Sequence, residues 1–209
     1  MYQANKNQQG QIIIEPLIAI SIVSATLLAI LTLTIFALRI SGINVRRTKA
    51  HNLAQEAFEA LRSIRDGDGT IQIREGGEVR QEQWQWNKIP ALQKKHFRIA
   101  SQNPWVVEDL SQATSPNYTV EDLLDSTNPL YKISYNTATL RWDPTEEDDP
   151  NVEYYYRQIE LSDYDSDGDG PNVPDPEEKE VYVKVTFFER GNKHEVSYRT
   201  VLTNWQWFR

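Results

Sequence analysis

Two sets of side chains in this 209-residue sequence have types and spacing suited to chemistry. The first is Asp163, Asp165, Asp167 and Asp169, alternate acids in the run Asp163-Tyr164-Asp165-Ser166-Asp167-Gly168-Asp169-Gly170. Alternate acids in a glycine-rich turn can converge carboxylate oxygens on a hard cation. D-x-D-x-D-G matches the start of an EF-hand calcium loop, read from Asp163 or from Asp165. Neither register reaches the glutamate such a loop needs at its twelfth position, because Pro174 or Pro176 falls there, and no helical pattern flanks the run. The pattern fits either an isolated calcium site, with Asp175, Glu177 or Glu178 as later ligands, or a solvated acidic linker between two strands. Glu146, Glu147, Asp148 and Asp149 lack a glycine and read as solvated loop.

The second set is Glu15 and the small residue ahead of it, Gly10. From Pro16 to Leu38 the 23 residues carry no charge and are mostly Ile, Leu, Val and Ala. A bilayer crossing needs roughly 20 such residues at about 1.5 Å each. A carboxylate at the lip of that segment is costly unless paired, so Glu15 is a candidate functional residue. The polar stretch 1–10 is too short to fold and reads as a scar, a stub or a leader. An ordinary secretory signal is cut after its apolar core. Here the clean small-residue junction lies in front, which favours a retained helix with a cut on its polar side.

Other chemistry finds no support. The sequence has no cysteine, and His51, His96 and His194 are far apart, which leaves no thiolate site and no clustered imidazoles. There is no nucleophile-and-base signature, no phosphate-cradling glycine loop and no H-E-x-x-H, so an enzyme is not expected. Charge is uneven: residues 11–66 hold six Lys/Arg against four Asp/Glu, and residues 67–209 hold fifteen against twenty-six. A head so acidic is a poor match for a phosphate backbone, and no nucleic-acid partner is expected.

The elements that position these residues follow from period. After Arg39, Gly42 is a candidate swivel, and Arg46, Arg47 and Lys49 form a basic collar compatible with lipid head groups. Ala50, Leu53, Ala54, Ala57, Phe58, Leu61 and Ile64 then recur at helical spacing. One near-continuous helix is predicted from about Ile12 to Ile64, membrane-spanning over about 12–38 and amphipathic over about 43–64. Pro16 falls in its first turn, where the missing N–H costs little. Asp66-Gly67-Asp68-Gly69 ends the helix, so the helical segment is 11–66 and the head 67–209.

Beyond Gly69 the period becomes two. Thr70–Arg80 with Gly76-Gly77 reads as a hairpin. Trp84, Trp86 and Trp105 suggest buried rings, and Thr119–Asp125 suggests a short capped helix. Strands are predicted at about Tyr131–Tyr135, Ala138–Trp142, Val152–Leu161, Glu180–Glu189 and Glu195–Asn204, with a tight turn over Arg190–Lys193. Strands in this order give an antiparallel sheet, one face of which can cover the helix stripe, an α+β arrangement. Trp205, Trp207 and Phe208 close the chain as core or edge cover.

At Gly10-Gln11-Ile12-Ile13-Ile14-Glu15 the sequence resembles the type III signal of type IV pilin precursors. In that family a leader ends in glycine, the cut follows it, and a glutamate is the fifth residue of the mature chain. Gly10 and Glu15 match in type and spacing, and Gln11 replaces the usual phenylalanine. The resemblance covers the leader and the long helix, about a third of the chain. It implies cleavage after Gly10 by a membrane prepilin peptidase, methylation of the Gln11 amine, and assembly through Glu15 with other copies and other pilin subunits. It further implies a single-pass precursor held in membrane lipid with its head outside the cytoplasm, and an extracellular filament once assembled. A plain count of the basic collar against Lys6 would place the head in the cytoplasm; the resemblance places the leader there instead. The alternative is a signal-anchored surface protein with an acidic, calcium-binding head that does not polymerise.

Overall fold

The computed structural model describes residues 8–66, 70–75, 78–83, 95–102, 105–110, 125–145, 149, 151–164 and 178–203. The chain divides into two compact units, Met1–Val45 and Arg46–Arg209. Its class is α+β: one long N-terminal helix, α1 (Gln8–Arg65), and a curled, mainly antiparallel C-terminal sheet.

In the first unit α1 is the only described element. Ile43 aside, its side chains from Ile14 to Val45 are exposed, and most of the large apolar ones are more than half so. The helix starts four residues ahead of the predicted Ile12, which moves Pro16 out of the first turn. Pro16 has no N–H to give to the carbonyl of Ile12, and an interior proline of this kind costs on the order of 3 kcal/mol. The surrounding run of Ile, Leu and Ala, all compatible with helix, carries the element through it.

In the second unit the rest of α1 buries the stripe read from the sequence. Ala50, Leu53, Ala54, Ala57, Leu61 and Ile64 are each at most 2% exposed, Ala60 joins them, and Phe58 is half-buried. Four alanines in that stripe leave room for the larger side chains that the sheet brings to the same core. The sheet contributes Phe97, Ile99, Val107, Ile133, Tyr155, Ile159, Leu161, Val181, Val183, Val185 and Phe187 to the same core.

The described strands are β1 (Thr70–Glu75), β2 (Glu78–Gln83), β3 (Lys95–Gln102), β4 (Trp105–Asp109), β5 (Lys132–Asn136), β6 (Arg141–Pro144), β7 (Tyr154–Asp163), β8 (Glu178–Glu189) and β9 (Asn192–Thr203). β7 is the hub. Along one side it pairs with β8, which pairs with β9. Its other side is shared: Tyr154–Tyr156 pair with β5, and Ile159–Leu161 pair with β3. β6 extends from β5, while β4, β1 and β2 follow from β3. This split lets one sheet curl around the helix.

Two expectations are corrected here. The sheet is not wholly antiparallel, because β1 runs parallel to β4. Residues 138–140 are a turn, not the start of a strand. The Asn136 carboxamide accepts the N–H groups of Ala138 and Thr139, and Leu140 takes a left-handed φ of 56°. This side-chain turn competes with the ladder and delays β6 to Arg141. The hairpin expected around Gly76-Gly77 is present as the β1–β2 pair, with Glu75 opposite Glu78. The β8–β9 turn holds Arg190 and Gly191 at φ 50° and 80°, the double positive φ that a two-residue hairpin needs. Residues 119–124 and the carboxyl-terminal Trp205, Trp207 and Phe208 lie outside the described residues, as do Trp84 and Trp86.

A smaller cluster sits on the sheet face away from the helix. There Leu110 and Tyr131 are buried with Leu130 and Tyr156 against them. The 3-10 turn Pro129–Tyr131 is capped by Asn128, whose side chain accepts the Leu130 N–H at 2.9 Å.

Candidate functional site

The site residues singled out in the sequence fall in different places. Gly10 and Gln11 lie in the first turn of α1, where four N–H groups have no helical acceptor and the backbone opens at little cost. Glu15 is further along the helix and exposed, and among the described residues no cation pairs with it. Asp163 is the last residue of β7, opposite Lys179 near the start of β8. Asp165, Asp167 and Asp169 lie outside the described residues, as do Glu146, Glu147 and Asp148. Among the described residues no three His, Asp or Glu side chains are arranged to hold a metal. Asp149 is committed locally, its carboxylate accepting from the Asn151 backbone and side chain at 2.8 and 3.1 Å.

Beyond Glu15 the helix is uncharged as far as Leu38 and exposed on every side. Its N-terminal part is long and apolar enough to cross a membrane, as an anchor or as a signal helix. Four of the hydroxyls that interrupt it are satisfied within the helix. Ser21, Thr32 and Thr34 donate to the carbonyls of Leu17, Leu28 and Ile30, and Thr26 donates to that of Val23, all at 2.7–2.8 Å. Such back-bonding hides the polar atoms that an apolar medium would leave unpaired. Glu15 is the exception, the only acid between Gln11 and Leu38.

Two cations of the basic collar have partners within the protein that the sequence did not reveal. Arg46 and Lys49 are spent inside the second unit, on the carboxylate of Glu153 at 3.1 and 2.5 Å. Arg46 also donates to the Phe188 carbonyl at 2.8 Å, and the Tyr155 hydroxyl donates to Glu153 at 2.9 Å. Burial, then the bond to Glu153 and its charge, pushes the Tyr155 phenol well above its ordinary range. Arg46 and Lys49 therefore tie the helix to the start of β7 and, through Arg46, to the end of β8, while Arg47 is exposed. No local pattern reveals this, since Glu153 is more than a hundred residues away.

Arg157 makes a second polar contact that sequence reasoning missed. It is buried on the core face of β7, its guanidinium 2.7 Å from Glu56 and 3.4 Å from the Leu53 carbonyl. One of its nitrogens, Nη2, is buried without a hydrogen-bond partner. The signal was present: period two places residue 157 on the same face as Tyr155, Ile159 and Leu161. On the same helix His51 bonds the Tyr198 hydroxyl, and Phe58 meets that tyrosine ring edge-on at 6.4 Å. His194 stacks on Phe187 at 5.2 Å. These two imidazoles are thus held by aromatic neighbours.

Comparison with protein-family models, with curated proteins and with solved structures returns no match for this chain.

Proposed function

We propose that the chain is a structural subunit of a type IV pilus-like filament. On this reading it is cut after Gly10 by a prepilin peptidase, methylated at Gln11, held in the membrane, and assembled through its apolar helix half with its own copies and other pilin subunits. The observation that carries the reading is a single helix with two unlike halves. One is apolar on every side and holds one carboxylate, Glu15; the other supplies the core of a folded head. A helix apolar all round is not stable in water and requires lipid or other such helices. Within them Glu15 requires a cation. Cleavage would create an amine on Gln11, and in a staggered bundle that amine neutralises Glu15 of a neighbour. Repeating this head-to-tail contact gives an open assembly.

The rival reading, an anchored surface protein that does not polymerise, needs neither cleavage nor Glu15. The amino-terminal mass of the protein recovered from its native host separates the two, together with a Glu15→Ala variant. A chain starting at Gln11, and a variant that keeps its membrane location but forms no filament, is the expected result. A chain starting at Met1 or Tyr2, or a variant that still assembles, would overturn the proposal.

A further inference from the structure

We infer that the edge of β9 left unpaired among the described strands pairs antiparallel with the same edge of a second copy of this chain, about a two-fold axis at Ser197. The inference rests on the second unit alone and is independent of the filament reading.

Among the described strands, β9 pairs with β8 and with no other. The register between them is unbroken over twelve residues, from Glu189 opposite Asn192 to Glu178 opposite Thr203. A long edge with no bulge and no proline is an open template for another strand. Most proteins blunt such edges with bulges, prolines or unpaired charges. β9 has charges, and their order decides which strand it accepts.

In β9 the side chains of Lys193, Glu195, Ser197, Arg199 and Val201 share one face, and those of His194, Val196, Tyr198, Thr200 and Leu202 share the other, which faces α1. A two-fold axis normal to the sheet preserves faces, so opposed residues must have the same parity. Only registers centred near the middle of Asn192–Thr203 pair most of the strand. Centred on Glu195, the two glutamates oppose each other. Centred on Val196, Lys193 opposes Arg199. Centred on Tyr198, Glu195 faces Val201 and Arg199 faces Ser197, with no charge matched. Centred on Ser197, Glu195 of each copy opposes Arg199 of the other, twice. The same register sets Tyr198 opposite Val196, an aromatic against a β-branched side chain, which is a favourable cross-strand pair. It also sets Lys193 opposite Val201, which the lysine stem can cover.

The side chains are available for this. Lys193, Glu195, Ser197, Tyr198 and Arg199 are all exposed. Among the described residues, the ion pairs of Glu195 and Arg199 are with neighbours on the same surface, Lys193 at 2.8 Å and Glu180 at 3.4 Å. Ser126 adds one hydroxyl contact to Glu195 at 3.3 Å. Exposed pairs of this kind exchange partners at little cost.

The chain has no cysteine, so a single introduced thiol reports only on itself. The test uses the full chain in detergent with Ser197→Cys, and with Lys193→Cys as control, under mild oxidation. At the axis the two Cβ atoms come within about 5 Å, close to disulfide reach. The two copies of residue 193 lie roughly 27 Å apart at about 3.4 Å per residue. Cross-linking at 197 is expected to exceed that at 193 by at least about tenfold. In the Ser197→Cys background, Glu195→Arg alone or Arg199→Glu alone should cut cross-linking by a similar factor, because each sets like charges opposite. The double exchange should restore it. Equal cross-linking at both positions, reversals without effect, or a double exchange that fails to rescue would overturn the inference. So would capture at Ser197→Cys of a different protein in place of a second copy.

Discussion

Leu28 and Leu61 sit in the same helix, yet one is 65% exposed and the other 0%. Around Leu28 the run is uncharged and apolar on every side, so no face is distinguished from another. Around Leu61 the apolar residues fall in a single stripe, and Glu59 and Arg62 mark the outer face. Only the second half carries the instruction for its own burial, because an asymmetric pattern selects one face for a partner. The first half carries no such instruction. Secondary structure is therefore the same across both halves, while burial against the rest of the chain is confined to the second.

The largest test of this contrast is truncation in each half. Leu61→Ala should destabilise the head by about 2–5 kcal/mol, through lost burial and the cavity left behind. Leu28→Ala should leave the head's denaturation midpoint in detergent where it was. Equal shifts would mean that the halves do not differ in the way described.

A smaller effect sharpens how the buried half is held. Glu56→Ala leaves the Arg157 guanidinium buried without its carboxylate, and a loss of about 3 kcal/mol is expected from the cost of an unpaired buried charge. Arg157→Met removes both the charge and the nitrogen that has no partner, and should cost clearly less. Chemical denaturation of the two variants gives the order directly, and the reverse order would show that the pair is a net source of stability.

The smallest effect concerns the start of the buried half, where Arg46 and Lys49 meet Glu153. These groups are partly exposed, so Glu153→Gln should cost about 1 kcal/mol or less. Tyr155 adds a pH signature. Its phenol is held above the usual value of 10 in the folded chain. The folded state thus keeps its proton longer than the unfolded one, and stability is full below pH 10 and falls as pH rises beyond it. Tyr155→Phe should flatten that alkaline decline in a series of melts, and an unchanged slope would assign the decline to other groups.

Much of this was legible in the sequence, for physical reasons that differ by region. The buried stripe from Ala50 to Ile64 was readable because helical period and burial share one cause. The β1–β2 and β8–β9 hairpins were readable because Gly76-Gly77 and Gly191 punctuate alternating runs, although the second turn, expected over Arg190–Lys193, ends before β9 starts at Asn192. The strand expected from Ala138 failed because Asn136 offers the backbone a local bond that the pattern of apolar residues does not reveal. The parallel β1–β4 pair could not be read either, since β-pairing partners are chosen by the whole sheet. Of the candidate residues, Gly10 and Glu15 were singled out from spacing and Gln11 from the resemblance, while Glu153 and Arg157 were not, as their partners lie about a hundred residues away.

Composition and period are enough to establish that a long apolar helix comes first, that one carboxylate stands at its lip, and that an acidic, strand-rich head follows. Each of these depends on neighbours within a few turns of chain. Folding in three dimensions settled the rest: β7 is shared between two branches of the sheet, two collar cations close on Glu153, and β9 is an edge among the described strands. Those are outcomes of competition among distant segments for the same backbone groups and the same charges, and no local pattern records which segment wins.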